Sequence, residues 1–238
     1  SSFITDRNFK HVMGAGYHAL ENKNFRMAIE EFQVALNIKP GNEAASSGLV
    51  QAQSLSLQKT IADDLVNAIS HEKEENWNKA LKAYGRILSK SSSLNEAQLG
   101  QSRAKNRLKM SSDINKILSS PLRLSSPQIY SEAKKLLANA QKIRPAGTKH
   151  IEKTNQLREQ LENSQISLSV RFRSDKFTNV SILKNGSLGS FNEKKISLKP
   201  GNYVATGTRD GYRDVRIEFR VVLKELPLNI EVACKERI

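Results

Sequence analysis

Cysteine, aromatic residues and long apolar runs are all scarce in this sequence of 238 residues. Its one cysteine, Cys234, excludes an intramolecular disulfide framework and a zinc site built from several cysteines. No apolar run approaches the roughly 18–20 residues of a membrane-spanning helix, and no secretory signal is visible at the start. Aromatic residues make up 6%, with 12 Gly and 6 Pro, so the composition is that of a folded chain rather than a collagen-like or low-complexity one.

Acidic residues are also in short supply, since 24 Asp and Glu face 38 Lys and Arg and leave a formal net charge of +14. Such a charge favours anionic partners, and phosphate, acidic lipid, an anionic wall polymer and an acidic protein are all compatible with it. Residues 165–238 carry 14 basic and 8 acidic residues, and the preceding 164 carry 24 and 16. The excess is therefore spread along the sequence, and we do not expect a dedicated nucleic-acid site.

A pattern of small and aromatic residues recurs at intervals of about 52 residues. Its three copies lie at 24–36, 76–88 and 130–140. Apolar residues within each copy recur every three or four positions, as on one face of an amphipathic helix, and alanine stands where a neighbouring helix must approach closely. Three such copies are enough to stack a continuous core.

Proline, glycine and serine-rich stretches at 40–41, 89–93, 119–126 and 145–147 separate the helical segments. The predicted helices lie at about 6–22, 25–38, 43–74, 77–89, 94–118, 128–143 and 148–164. The segment 43–74 contains no proline, so it is predicted to form one long helix.

The first copy resembles the tetratricopeptide repeat. The positions where that family has small residues, an aromatic, an alanine and a proline are occupied here by Gly16, Ala28, Phe32, Ala35 and Pro40. The second copy retains Ala68, Ala80 and Tyr84, and the third retains Ala133, Ala140 and Pro145. Because the spacing is 52 residues rather than the family's about 34, the resemblance implies an additional or lengthened helix in each unit.

Near residue 165 the pattern changes to the alternation that half-buried strands show. Ile166 to Phe172 and Val215 to Val221 alternate apolar with polar residues, and turn signals stand at Asn185-Gly186, Pro200-Gly201 and Asp210-Gly211. About six short strands with regular turns predict a small sandwich. The predicted fold class is α+β in two domains, a helical array at 1–164 and an antiparallel β-sandwich at 165–238.

The sandwich segment resembles a PEGA domain, a small bacterial domain of surface and envelope proteins. Its turn pattern is matched by Asn185-Gly186, Gly189, the stretch Leu198-Lys199-Pro200-Gly201-Asn202-Tyr203, and Gly211-Tyr212. The Pro-Glu-Gly-Ala signature of the family is absent, and Ser174-Asp175-Lys176-Phe177 stands in its place. The resemblance implies a bacterial envelope protein.

Catalytic and metal-binding patterns are not found. His11 and His18 share a helix face, but no acidic or thiol partner completes a metal set with them, and the sequence holds no nucleotide-binding loop or nucleophile elbow. We expect a protein that is not an enzyme and needs no cofactor or metal.

Two groups of residues are candidates for binding. Arg103, Lys105, Arg107 and Lys109 put cations on two adjoining stripes of one helix, where an acidic partner could bind, although a solvated face is the alternative. The tetratricopeptide resemblance implies a concave partner-binding surface, which falls on Lys10, Met13, Tyr17 and Leu20. Met13 and Tyr17 stand where some repeats have the Lys and Asn that clamp a carboxylate, so a hydrophobic or mixed groove is expected, with packing inside the array as the alternative.

The sequence thus predicts a scaffold that binds protein or cell-wall partners. The sequence begins with Ser1-Ser2 instead of Met, and we expect the soluble, periplasmic part of a protein with an N-terminal inner-membrane anchor; a cytoplasmic protein is the alternative. The competing function is an anion-binding module for nucleic acid or an anionic wall polymer.

Overall fold

The computed structural model describes residues 2–238, which form seven α-helices followed by seven β-strands. The helices are α1 (Ser2–Glu21), α2 (Phe25–Ile38), α3 (Glu43–Lys73), α4 (Trp77–Lys90), α5 (Asn95–Leu118), α6 (Pro127–Gln141) and α7 (Thr148–Asn163), with a 3-10 turn at Pro121–Ser125 before α6. All seven predicted helices are confirmed within about four residues at each end, and 43–73 is one long helix as expected. The 3-10 turn lies in a serine-rich stretch that was predicted only as an interruption.

The chain divides into two compact units, of which the first ends at Asn106 and the second is Arg107–Ile238. The division falls within α5. The C-terminal part of α5, α6 and α7 therefore belong to the same unit as the strands, whereas the sequence predicted a domain boundary between residues 164 and 165.

In the first unit, helices approach closely because the contacting residues are small. Phe32 of α2 is completely buried, and its ring lies against Gly16 of α1 and Gly48 of α3. Tyr17 adds an edge-on contact to the same ring, with the centroids 5.1 Å apart. The side chain of Asn42 caps α3 by accepting a hydrogen bond from the backbone of Ala45 at 3.0 Å.

The next core cluster in this unit, 52 residues later along the sequence, also has a buried aromatic ring against a glycine. Tyr84 of α4 is buried against Gly100 of α5, and its hydroxyl donates to Glu72 of α3 at 3.0 Å. Burial and the neighbouring Glu72 carboxylate raise the pKa of Tyr84 to about 12. A second polar contact joins α3 to α4, where Asp64 accepts from Arg86 and Lys90.

The helices of the second unit share a separate apolar core. Its buried members are Ile114, Leu124, Ala133, Ala140, Leu157 and Leu161. Polar contacts tie α5 to the residues that follow α6 and to α7, since Arg107 donates to the carbonyl of Pro145 and Lys153 donates to Ser111 at 2.7 Å.

The strands form two sheets that enclose one core, which is the arrangement of a sandwich. They are β1 (Leu168–Arg173), β2 (Asn179–Ile182), β3 (Gly186–Gly189), β4 (Glu193–Leu198), β5 (Gly201–Thr208), β6 (Val215–Val221) and β7 (Leu228–Glu231). The order is β4-β1-β7 in one sheet and β3-β2-β5-β6 in the other. Phe172 of β1 and Phe219 of β6 meet across the core with ring centroids 5.6 Å apart.

Two features of the sandwich differ from the sequence prediction. The pair β1–β7 is parallel, with Phe172 opposite Ile230, while every other neighbouring pair among the described strands is antiparallel. No hairpin fixes the direction of β7, because it follows β6 of the other sheet. The Pro200-Gly201 turn connects β4 of one sheet to β5 of the other and does not close a hairpin.

Candidate binding surfaces

The residues predicted for partner binding on α1 do not all face solvent. Lys10 is exposed and Tyr17 is 43% exposed, whereas Met13 is buried in the core around Phe32 and Leu20 is half-buried against it. Met13 therefore belongs to the packing of the array. Lys10 and Tyr17 are the members of this group that a partner can reach most easily.

An exposed stripe on α1 extends farther than the sequence suggested. Phe3 is 79% exposed and stands seven residues before Lys10, which stands seven before Tyr17. Side chains seven residues apart lie almost on one line, because two turns of an α-helix take about 7.2 residues. Phe3, Lys10 and Tyr17 form what we call the α1 stripe, two exposed aromatic side chains with a cation between them. Phe3 lay before the first repeat copy, so the resemblance gave no reason to include it.

The four predicted basic-patch residues all lie on α5, but the division between the units separates them into two pairs. In the first unit, Arg103 forms an ion pair with Glu72 at 2.9 Å, which raises the pKa of the guanidinium, and Lys105 is exposed. In the second unit, Arg107 is only 7% exposed, and Lys109 forms an ion pair with Asp113 at 2.9 Å. Of the four residues, Lys105 alone is exposed and forms no ion pair with residues 2–238.

The positive charge is concentrated in one of the two units. Residues 1–106 contain 13 basic and 11 acidic residues, a net charge of +2, whereas residues 107–238 contain 25 and 13, a net charge of +12. Division at residue 164 had given nearly equal shares. The C-terminal part of α5, α6 and α7 carry a large part of the excess, so grouping them with the sandwich makes the second unit strongly basic.

Within the second unit, a polar cleft of about 820 Å³ lies between the helices and the sandwich. Its walls come from the 3-10 turn and the start of α6, from the end of α7, and from the turns after β2 and β4. Lys184 and Lys199 line it, and none of its lining residues is Asp or Glu. We call it the junction cleft.

Several contacts hold the walls of the junction cleft in place. The Nζ of Lys199 donates to Oε1 of Gln165 at 2.6 Å, and the Tyr203 hydroxyl donates to the carbonyl of Lys199 at 2.8 Å. A Cβ atom at Gly201 would lie only 2.9 Å from the Cβ of Ser125, so the sandwich turn and the 3-10 turn touch closely. The sequence identified the turns at Lys184 and Lys199 but gave no signal that they meet Ser125 and Gln165.

The loop between β1 and β2 carries an exposed aromatic side chain and part of a charged cluster. Phe177 is 68% exposed, and the Arg209 guanidinium lies 4.8 Å from its ring centroid and 3.9 Å from that of Tyr212. Burial acts to raise the pKa of Asp175, but the backbone N–H groups of Thr178 and Phe177 donate to its carboxylate and Arg209 lies 3.2 Å away, so its pKa falls to about 2. The cluster fixes the loop between β1 and β2.

The two histidines that the sequence singled out both lie on α1. His11 is exposed, and His18 contacts Asn22, which follows the last residue of α1. Across residues 2–238, no three His, Cys, Asp or Glu side chains come together as a metal site would require.

Helices long and apolar enough to cross a bilayer are not found among residues 2–238. Comparison of the chain with protein-family models, with curated proteins and with solved structures found no match.

Proposed function

We propose that this protein is a non-catalytic scaffold whose helical array binds a protein partner along the α1 stripe. The observation that carries the proposal is the exposure of Phe3 and Tyr17 on either side of Lys10. Exposed aromatic side chains on a rigid helix lose little conformational entropy when they are covered, and aromatic residues are enriched at protein interfaces. Lys10 would favour a partner segment that carries a carboxylate beside apolar residues.

The contacts beneath the stripe support its use as a preformed surface. Tyr17 rests edge-on against the buried ring of Phe32. Lys39, which follows the last residue of α2, pairs with Asp6 at 2.5 Å and lies 4.8 Å from the ring centroid of Phe9. These contacts hold α1 against α2, so a partner would meet an ordered helix face.

The family assignment is part of the same proposal. The burial of Phe32 and Tyr84 against glycines 52 residues apart supports a tetratricopeptide-like repeat with an extended third helix. The turn pattern between β2 and β6 supports a PEGA-like sandwich. Together they favour a bacterial envelope scaffold with a periplasmic location.

Site-specific photo-cross-linking tests the partner-binding proposal. A photoreactive phenylalanine analogue placed at position 3 or 17 of the full-length protein should capture the same partner in the cells that make it. The matched control is the analogue at Gln33, an exposed position on α2. A partner captured equally at all three positions, or at none, would contradict the proposal.

A charge-reversal variant separates binding from folding. Lys10 is exposed, so Lys10→Glu should leave the helical circular dichroism and the melting temperature unchanged while it lowers the cross-linking yield at position 17 several-fold. Lys23→Glu, an exposed charge reversal in the turn between α1 and α2, is the control. An unchanged yield in Lys10→Glu would remove the lysine from the proposed surface.

The competing function is anion binding by the second unit, which the concentration of +12 in residues 107–238 favours. If duplex DNA is the anion, the logarithm of the affinity should fall against the logarithm of the salt concentration with a slope of about −0.9 for each phosphate neutralised. An absence of retention on DNA and on an anionic wall polymer at about 0.1 M salt would exclude this function.

A further inference from the structure

The junction cleft has the volume of a small-molecule site. Its volume of about 820 Å³ lies within the range of roughly 300–1,000 Å³ that is common for ligand clefts. The contact of Gly201 with Ser125 and the hydrogen bond from Lys199 to Gln165 fix its two sides against each other. A ligand would therefore enter a cleft that is already formed.

The electrostatics of the cleft select for negative charge. Lys199 uses one of its three ammonium donors on Gln165, and two are left for a ligand. Lys184 lies in the turn after β2 and forms no ion pair with residues 2–238. Because no carboxylate lines the cleft, nothing in its walls compensates the two lysines, and the surrounding unit has a net charge of +12.

The remaining walls are suited to a ligand rich in hydroxyl groups. Five serines line the cleft, together with Gln165, Asn185 and Asn202. Hydroxyl and amide side chains both donate and accept hydrogen bonds, as the hydroxyl groups of a sugar need. Tyr130 and Tyr203 add ring surface for the apolar C–H faces of a sugar, and Tyr203 is held in place because its ring stacks on Phe219 with centroids 5.6 Å apart.

We infer that the junction cleft binds an acidic saccharide, a sugar that carries a phosphate or a carboxylate. The two lysines would contact the anionic group, and the serine and amide side chains would contact the ring hydroxyls. This site lies in the second unit and does not depend on the α1 stripe, so it would add ligand binding to the proposed scaffold.

A titration followed by nitrogen-15 NMR of the full chain tests the inference. The probes are glucose 6-phosphate, glucuronate, glucose and inorganic phosphate. Saturable shifts in the amide signals of Ser125, Asn185 and Gly201 are expected with the first two probes, and much weaker binding is expected with the other two. Equal binding of glucose would overturn the requirement for charge, and equal binding of phosphate would overturn the requirement for a sugar.

Variants of the two lysines locate the site. Lys184→Gln and Lys199→Gln should each weaken the binding of glucose 6-phosphate about tenfold, since a hydrogen bond to a charged group is lost. Lys224→Gln removes an exposed lysine of the same unit outside the cleft and should leave the affinity unchanged. Equal affinities in all three variants, or no saturable shift with either acidic sugar, would overturn the inference.

Discussion

Single residues decide how closely the helices of the first unit approach one another. Phe32 is confined between two glycines: a Cβ atom at Gly16 would lie 2.9 Å from its ring, and one at Gly48 would lie 2.5 Å from it. Both close approaches involve the Cδ1, Cε1 and Cζ atoms of the ring, so a methyl group on either glycine would press on the same ring edge. The backbone at position 48 is that of an ordinary helix, which any residue can adopt. Glycine is therefore needed there because a larger residue would not fit.

Gly48→Ala should lower the free energy of unfolding of the first unit by roughly 1–2 kcal/mol, because overpacking exceeds the gain in helix propensity. Gly14→Ala is the matched control, since a Cβ atom there has no neighbour within 4 Å, and it should raise the stability by about 0.5–1 kcal/mol. Urea unfolding followed by helical circular dichroism measures both. Equal stabilities would show that the ring of Phe32 can shift.

The Asp175 carboxylate should make the stability of the sandwich depend on pH. Its pKa of about 2 in the folded protein is below the roughly 3.9 of an unfolded chain. The stabilisation is therefore present above about pH 4 and is lost as the pH falls toward 2. Asp175→Asn retains an oxygen that can accept from Thr178 but loses the charge, so it should cost about 1–2 kcal/mol at pH 7 and only a small part of that near pH 2.

Chemical denaturation between pH 7 and pH 2 checks this prediction through the difference between the natural protein and the variant. Asp214→Asn is the control, because Asp214 is exposed and forms no ion pair with residues 2–238. A difference for Asp175→Asn that stays constant over this range would mean that shape rather than charge stabilises the loop.

At the scale of elements, α3 and α4 are joined by a nearly buried carboxylate. Asp64 is 9% exposed, and its oxygens accept from Arg86 at 2.8 Å and Lys90 at 3.0 Å. Burial acts to raise its pKa, but these two cations lower it further than burial raises it. The pairing therefore connects the long helix to the next one along the chain.

Asp64→Asn should destabilise the first unit by roughly 1–3 kcal/mol, because two cations lose their common partner. The neighbouring Asp63 pairs only with Lys59 on the same exposed helix face, and Asp63→Asn should change the stability by less than about 0.5 kcal/mol. Thermal unfolding of the two variants compares a tertiary ion pair with a local one. Equal melting temperatures would contradict the role of Asp64.

The elements that the sequence predicted are those fixed by local signals. Helix periodicity and the caps around Asn24 and Asn42 act over a few residues, so the helix bounds could be read from the sequence. The parallel pairing of β7 with β1 and the meeting of Lys199 with Gln165 depend on contacts between distant segments. Alternation and turn chemistry do not encode such contacts.

For the candidate sites too, contacts between distant segments could not be predicted from the sequence. Lys10 and Tyr17 are exposed, as expected of the surface that the repeat resemblance implied. Met13 of the same predicted surface is buried, because α1 packs against a neighbour that the helix pattern does not identify. The cation at Arg107 was assigned to a surface patch, yet it is buried beside Pro145, 38 residues farther along the chain.

At the scale of the whole molecule, the second unit includes helices that the sequence assigned to the array. A fragment of residues 107–238 should unfold cooperatively and at a higher temperature than a fragment of residues 165–238. The shorter fragment lacks Ser125, which packs against Gly201, and it lacks the helical core of the second unit. Differential scanning calorimetry of the two fragments checks this, and equal melting temperatures would favour a boundary near residue 164.

Cys234 gives the molecule a practical property that follows from its burial. Its side chain is 1% exposed, and its thiol donates to the carbonyl of Gly207 at 3.3 Å. A maleimide dye should therefore react with a cysteine introduced on the surface and leave the natural thiol unmodified while the sandwich stays closed. Fluorescent labels can then be attached without removal of Cys234. The rate at which the dye reacts with Cys234 itself would measure how often the sandwich opens.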